Sequence, residues 1–297
     1  MNVNRKYKSS VFTKLFNDLD RLLSLYNAIS GNNLPPGTEV EIATLDDILF
    51  TDRHNDIAFI LDDKIVILIE HQSSINNNMP LRLLIYVARV YEKLIDNDAV
   101  YKRKLLKIPK PDFIVLYNGA DPFPDEKTLR LSDAYKEISE TLDGLGGFLD
   151  LEVRVVNINE GRNEDIVGKC ESLNGYVRFV GKVRNNLDAG MDLSVAVTKA
   201  TGNCIEEGIL ADFLKEHSSE VINMLTNEWS IERAIFIREQ EAHEEGIEKG
   251  IDKGVDISTE IMRALVKKIP MEKIAERYQV PIEKIVQFQS ALTQYSA

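Results

Sequence analysis

NDIAFILDDKIVILIEHQ, residues 55–72, contains two β-branched, apolar runs on either side of a short charged turn. This pattern is typical of a β-hairpin. In the second run, the residues at odd and at even positions are both apolar, which predicts a hairpin covered on both faces. Asp56 interrupts the start of the first run, and Glu70 and Gln72 end the second. Because an ionised group beside a buried strand is costly unless it is paired, we expect a bound cation here.

The length of the hairpin loop determines whether the two acids can meet. Glu70 and Gln72 are two residues apart, so they project from the same face of their strand. A three-residue loop, 62–64, would place Asp56 opposite Glu70 on that face. A two-residue loop would instead pair Asp56 with Ile69 and separate the carboxylates across the sheet. A shared metal site therefore requires an odd-length loop or a bulge.

The arrangement resembles the PD-(D/E)XK nuclease superfamily, in which an acidic residue on one strand precedes an acidic-x-Lys triplet at the end of the next. Here the triplet is Glu70-His71-Gln72, with glutamine in the position of the lysine. Four segments are similar to the branch of recombination-promoting nucleases and YhgA-like transposases: EHQSS at 70–74, MPLRLLIY at 79–86, LYNG at 116–119 and TLRLSDA at 128–134. The resemblance covers about the first two-thirds of the chain and its acidic, glycine-repeat tail.

The resemblance implies an α/β fold with a restriction-endonuclease-like core: a helix, a mixed sheet with a central hairpin, a crossover helix and further strands, followed by an all-helical C-terminal part. It also implies a metal-dependent endonuclease that hydrolyses phosphodiester bonds of DNA in recombination or transposition-like processing. Asp56, Glu70 and Gln72 would be the catalytic residues. Asp56, Glu70 and the backbone carbonyl of His71 would bind Mg²⁺, with Mn²⁺ as a substitute, because Mg²⁺ prefers oxygen ligands.

Glutamine in the lysine position leaves a second hypothesis open. The side chain of Gln72 can hydrogen-bond a water molecule but brings no positive charge. The substitution could mark lost chemistry, in which case the nuclease fold would serve as a DNA-binding or protein-assembly module. An RNA substrate is a third possibility that the sequence leaves open.

The segment after the hairpin predicts an amphipathic helix over residues 79–95, with Pro80 in its first turn. Arg82 and Tyr86 are four residues apart on a strip beside the apolar stripe. Since this helix follows the candidate site directly, we expect both residues to bind substrate, Arg82 through a phosphate and in compensation for Gln72. Structural roles for both are the alternative.

Composition limits the class of protein. The chain has 297 residues, 44% of them hydrophobic and 28% charged, as is usual for a globular protein with a sizeable core. No apolar run reaches 18 residues, and the N-terminal residues are not followed by an apolar segment, so we expect neither a transmembrane helix nor a secretory signal. Cys170 and Cys204 lack metal-ligand spacing. These features predict a cytoplasmic protein that does not bind membranes.

Charge is unevenly distributed. The net charge of −12 argues against nucleic-acid binding if it is averaged over the chain. Residues 82–110, however, contain eight Lys or Arg side chains and three acids. A basic surface next to the candidate site would suit phosphate contacts with DNA. A solvated lysine-rich loop is an equally good interpretation.

We divide the chain into a nuclease-like core at 1–160, a helical extension packing on it at 161–225, a long acidic helix at 226–260 and a small helix-turn-helix-like module at 261–297. Periodicity within the core predicts a helix at 10–29 with Ser9 or Ser10 as its N-cap, and strands at 39–45, 111–119 and 152–158. Because the strand at 111–119 follows a helix, it should lie parallel to a neighbour. Beyond residue 160 we predict helices at 163–184, 189–200, 203–215 and 217–260.

Glycines recur every fourth residue in the acidic helix, at Gly246, Gly250 and Gly254. Each costs about 1 kcal/mol relative to alanine inside a helix. Close packing against another helix would compensate, so we expect a homo-oligomer formed through this helix. A flexible linker is the alternative. In the last module, Glu283 weakens the prediction of a DNA-reading helix, and a helical interaction module is equally possible.

Overall fold

The computed structural model describes residues 10–43, 56–61, 64–69, 76–96, 98–136 and 149–295. The chain divides into two compact units, Met1–Ser230 and Ile231–Ala297. The first contains the sheet and the helices packed on it, and the second is helical. This is the α/β core with an all-helical C-terminal part that the sequence predicted.

A mixed sheet forms the centre of the first unit. Its described strands are β1 (Val40–Ile42), β2 (Asp56–Leu61), β3 (Lys64–Ile69), β4 (Lys110–Tyr117), β5 (Glu126–Arg130) and β6 (Glu152–Asn157). Their order across the sheet is β1-β2-β3-β4-β6-β5. β1, β2 and β3 are antiparallel, β3, β4 and β6 are parallel, and β5 is antiparallel to β6. The predicted mixed sheet with a central hairpin is therefore confirmed.

The crossover between β3 and β4 contains α3 (Met79–Leu94), with Pro80 in its first turn. Parallel neighbours require such a connection, because a tight turn can join only antiparallel strands. The predicted helix at 79–95 and the parallel strand at 111–119 are confirmed. α3 buries Leu83, Tyr86 and Val87 against one face of the sheet.

The other face of the sheet is covered by helices from both ends of the first unit. They are α1 (Val11–Phe16), α2 (Leu19–Ser30), α4 (Glu164–Val167), α5 (Glu171–Asp188) and α6 (Leu193–Glu206). In β2, Ile57 and Phe59 join this cluster while Ala58 joins the cluster of α3. Alternation along the strand thus buries both faces of β2, as the sequence predicted. Each layer of helices then rests on its own apolar core.

The prediction of a single helix at 10–29 is wrong, because these residues form two helices, α1 and α2. Ser10 caps α1 by accepting a hydrogen bond from the amide of Thr13 at 3.1 Å. Asp18 caps α2 in the same way, with the amide of Arg21 at 2.9 Å. A carboxylate that accepts the first free amides starts a new helix, although the apolar spacing continues through it.

The remaining helices are α7 (Ala211–Val266), α8 (Met271–Tyr278) and α9 (Ile282–Tyr295). The backbone of α7 is non-helical at His217, which is where the predicted helices at 203–215 and 217–260 were separated. The glycine repeat lies within α7, so it is helical and not a flexible linker. In the described part of the chain, no helix is both long and apolar enough to cross a bilayer.

Candidate active site at the carboxyl edge of the sheet

The carboxyl ends of the parallel strands β3, β4 and β6 lie at one edge of the sheet, which we call the carboxyl edge. β2 runs antiparallel to β3, so Asp56 at its start lies at this edge beside Ile69. Open sheets of this kind bind ligands beyond the carboxyl ends of their parallel strands. The fold therefore brings the predicted first acid to the edge where a site is expected.

The register of the hairpin differs from the one that a shared metal site was expected to need. Leu61 pairs with Lys64, and Asp56 pairs with Ile69, so the loop consists of residues 62 and 63 only. The expected three-residue loop is wrong. A regular continuation of this pairing would place position 70 on the face opposite position 56.

Lys64 belongs to the strand and not to the loop because its ammonium group has partners on the neighbouring strand β4 and on α2, in the helical layer. Nζ lies 2.6 Å from Oδ2 of Asp112 on β4 and 3.2 Å from the hydroxyl of Tyr26 on α2. Burial by itself would lower the pKa of Lys64, but the hydrogen bonds to Asp112 and Tyr26 outweigh it and leave the pKa above its ordinary value. The ion pair fixes Lys64 in the sheet as the first residue of β3.

The proposed ligands fall largely beyond the described residues. Glu70, His71 and Gln72 lie outside them, and only the backbone of Asp56 is described. Positions 56 and 58 are two residues apart on β2, so they share a face of the sheet. Because Ala58 packs in the cluster of α3, this is the face that α3 covers. Within the described ranges, no group of three or more His, Cys, Asp and Glu side chains could hold a metal. The catalytic and metal-binding roles stay predictions.

The predicted substrate-binding residues lie on α3. Arg82 is half-buried in the first turn, where its guanidinium contacts the sulfur of Met79 at 3.6 Å. Tyr86 is only 4% exposed and belongs to the core cluster between α3 and the sheet. Arg82 thus has a side chain that can still be reached by solvent, whereas the ring of Tyr86 packs.

The predicted basic surface divides between two places. Lys110 opens β4 and pairs with Lys64, at the end of the sheet away from Ile69. The sequence suggested that the lysine-rich loop before Lys110 lies next to the candidate site. The pairing of Lys110 with Lys64 shows instead that this loop leads to the opposite end of the sheet. Only Arg82, at the start of α3, comes soon after the site along the chain.

A network of polar side chains lies at the carboxyl edge. It was not predicted from the sequence. Arg184 on α5 donates hydrogen bonds to the backbone carbonyl of Asn118 and, at 2.6 Å, to Oδ1 of Asn159. The amide of Asn159 in turn donates to the carbonyl of Gly119 at 3.0 Å and to Oδ1 of Asn157 at 2.9 Å. These bonds hold the loops after β4 and β6 together.

Asn118 has a feature that the network does not use. The residue is 2% exposed, and its Nδ2 has no hydrogen-bond partner among the residues that the structure describes. Burying an unpaired donor costs about 1–3 kcal/mol, so such a group calls for a reason. An Asn directly after a buried strand and before Gly was a visible signal in the sequence, where it was noted only as part of a family motif. Asn118 is a second candidate polar group at the carboxyl edge.

Comparison with known proteins relates one part of the chain to a family. Residues 45–189 match the model of a family described as "Putative transposase, YhgA-like". The match contains the hairpin, α3, Asn118 and Arg184, and thus the whole carboxyl edge. No curated protein and no solved structure gives a significant match. Residues 45–189 are therefore similar to this YhgA-like family, as the sequence motifs predicted.

Proposed function

We propose that the chain is a metal-dependent DNA endonuclease with its active site at the carboxyl edge of the sheet. The observation that carries the proposal is the position of Asp56, which pairs with Ile69 at this edge. Glu70 is the next residue of the chain after Ile69. The similarity of residues 45–189 to a family described as transposase-like supports chemistry on DNA.

The donor set fits a hard divalent cation. Two carboxylates, from Asp56 and Glu70, and the carbonyl of His71 offer oxygen ligands, which suit Mg²⁺ or Mn²⁺. A bound cation would offset the charge of the scissile phosphate. Gln72 would orient the attacking water through its amide, and Arg82 would bind a phosphate oxygen.

The register adds a condition to this proposal. Because Asp56 pairs with Ile69, the two carboxylates share a face only if the strand carries a β-bulge after Ile69. A bulge inserts one unpaired residue and reverses the alternation beyond it. Bulges occur frequently beside active sites, where they redirect a side chain. The proposal therefore requires a bulge at Glu70.

The second candidate function is a nuclease fold that binds DNA or assembles with proteins without cutting. The two-residue loop favours it, since regular pairing would leave the acids on opposite faces. Glutamine in the lysine position points in the same direction. Under this hypothesis the carboxyl edge would contribute to binding only.

Nicking of supercoiled plasmid in Mg²⁺ or Mn²⁺ separates the two hypotheses. We expect the wild type to nick DNA and Asp56→Ala and Glu70→Ala to reduce nicking to background. Glu41→Ala is the matched control, because Glu41 is an exposed acid on the neighbouring strand β1. Nicking that survives both site substitutions would remove these residues from the mechanism. A wild type that binds DNA in a salt-dependent manner without nicking would favour the second candidate.

Manganese binding tests the bulge directly. A crystal soaked with Mn²⁺ should show an anomalous peak between the carboxylates of residues 56 and 70. A peak bound to one of them alone, with the other acid on the opposite face, would exclude a shared cation.

We also propose that α7 joins two copies of the chain. Ile247, Ile251 and Val255 are more than half exposed and follow the three glycines at the same four-residue spacing. This spacing repeats on one side of a helix and pairs an apolar stripe with a row of small residues. Light scattering of the full chain should give the mass of an oligomer, and a monomer at micromolar concentration would contradict the proposal.

A further inference from the structure

Three cations form a line along α3. Arg82, Arg89 and Lys93 are spaced by seven and four residues, which places them within about 40° of one another around the helix. The line extends for about 16 Å along the helix axis. It begins in the first turn of α3, at Arg82, and runs towards the loop that precedes β4.

The loop at 98–110 continues this line with more positive charge. It holds five cations, all of them on exposed residues: Lys102, Arg103, Lys104, Lys107 and Lys110. Among the described residues, the salt bridge found for this set joins Lys102 to Asp96 at 3.9 Å. The loop is also held in place, because the hydroxyl of Tyr91 donates to the carbonyl of Pro109 at 2.6 Å. The end of the loop is therefore anchored to α3.

The same loop exposes large apolar side chains. Tyr101 is 87% exposed and Leu105 is 74% exposed. Clustered exposed apolar side chains mark an interaction surface more often than scattered single ones do. An exposed aromatic ring among Lys and Arg side chains suits nucleic acid, because a base stacks on the ring while cations bind the flanking phosphates.

We propose that the basic stripe of α3 and the loop at 98–110 form one nucleic-acid-binding track that begins at the cleavage site and continues beyond it. The track leads from the carboxyl edge to the opposite end of the sheet, since Lys110 pairs with Lys64. β3 alone spans about 17 Å between these ends, which is about five nucleotides of a B-form strand. Its assignment as a guide towards a cutting site rests on the proposed function, but binding along it does not require cleavage.

An anionic bilayer is the other surface that binds Lys, Arg and exposed aliphatic groups. The linear order of the cations favours a phosphate backbone, which follows a line, over a membrane, which presents a plane. All eight cations lie on one helix face and the loop directly after it, in chain order. The track therefore matches a polynucleotide strand.

The test is fluorescence anisotropy with a 20-nucleotide single strand and a duplex of the same length, in EDTA so that no cleavage occurs. We expect a triple substitution to alanine at Arg103, Lys104 and Lys107 to weaken binding by roughly tenfold or more. The slope of log K against log salt should fall by about two to three, because each phosphate contact contributes about 0.7–0.9. Tyr101→Ala should weaken single-strand binding by roughly fivefold or more.

The matched control removes the same charge elsewhere in the first unit, by alanine substitution of three exposed lysines: Lys127, Lys169 and Lys199. Equal losses in both triple variants would show that net charge alone matters and would overturn the track. Loss of binding to vesicles of phosphatidylcholine and phosphatidylserine, with DNA binding unchanged, would assign the loop to a membrane. If nicking survives Asp56→Ala while the loop variant loses DNA binding, the proposed active site fails and the track stands.

Discussion

Replacing Arg184 tests whether the polar network holds the carboxyl edge together. Its guanidinium donates to the carbonyl of Asn118 and to Oδ1 of Asn159 at 2.6 Å. A hydrogen bond from a charged group contributes about 1.5–3 kcal/mol. Two such bonds at a half-buried side chain, reduced for partial solvent exposure, give about 3 kcal/mol. We therefore expect Arg184→Ala to lower the free energy of unfolding of the first unit by about that amount.

Thermal unfolding followed by tryptophan fluorescence measures this change, because the single tryptophan, Trp229, packs against the core of the first unit. A loss of 3 kcal/mol lowers Tm by roughly 6–12 °C in a unit of this size. Arg184→Lys should recover about half of the loss, since an ammonium lacks the fork that reaches both acceptors.

Arg162→Ala is the control for loss of an arginine. Arg162 pairs with Asp125 at 3.0 Å, but both side chains are more than half exposed. Exposed pairs contribute about 0–1 kcal/mol, so Tm should fall by no more than about 4 °C. Equal, small shifts for Arg184→Ala and Arg162→Ala would show that the network does not stabilise the edge.

Three further substitutions test packing, titration and assembly. In urea unfolding, Gly175→Ala should lower the free energy of unfolding by about 1–3 kcal/mol, because the added Cβ would lie 2.7 Å from the side chain of Leu210. Gly202→Ala is its control. The added Cβ meets no atom within 4 Å among the described residues, so this variant should be neutral or stabilising. Burial raises the pKa of Cys204 to about 11, so the folded state keeps a proton that the unfolded state loses from about pH 9. Urea unfolding should show stability falling between pH 9 and 11, by less in Cys204→Ala. Gly250→Ala has open space at its Cβ, so circular dichroism should show more helix, while light scattering should show weaker self-association if α7 packs closely in an oligomer.

Periodic apolar spacing was sufficient to predict the elements that bury a regular face. The helix predicted at 79–95 is Met79–Leu94, and the strand predicted at 152–158 is Glu152–Asn157. β5 was not predicted because only Leu129 is buried along it. Ion pairs with β6 accompany its pairing instead, among them Arg130 with Glu152 at 2.5 Å. Spacing of apolar residues does not reveal a strand of this kind.

The network at the carboxyl edge was beyond prediction for a different reason. Arg184 lies in the middle of a helical pattern, and its partner Asn118 is 66 residues away in sequence. Nothing in either local pattern indicates that α5 places a guanidinium against the end of β4. The candidate acids were predicted from local sequence, whereas the hydrogen bonds of Arg184 depend on how the layers pack.

The hairpin register shows the same limit at the point that matters most for function. The charged turn contains Asp62, Asp63 and Lys64, and its composition allows a loop of two or three residues. Lys64 is held in the sheet by its ion pair with Asp112, which lies on β4, further along the sequence. With the loop fixed at two residues, the alternation of β3 can change only after Ile69. A shared cation therefore depends on one backbone irregularity beside Glu70 and no longer on the length of the turn.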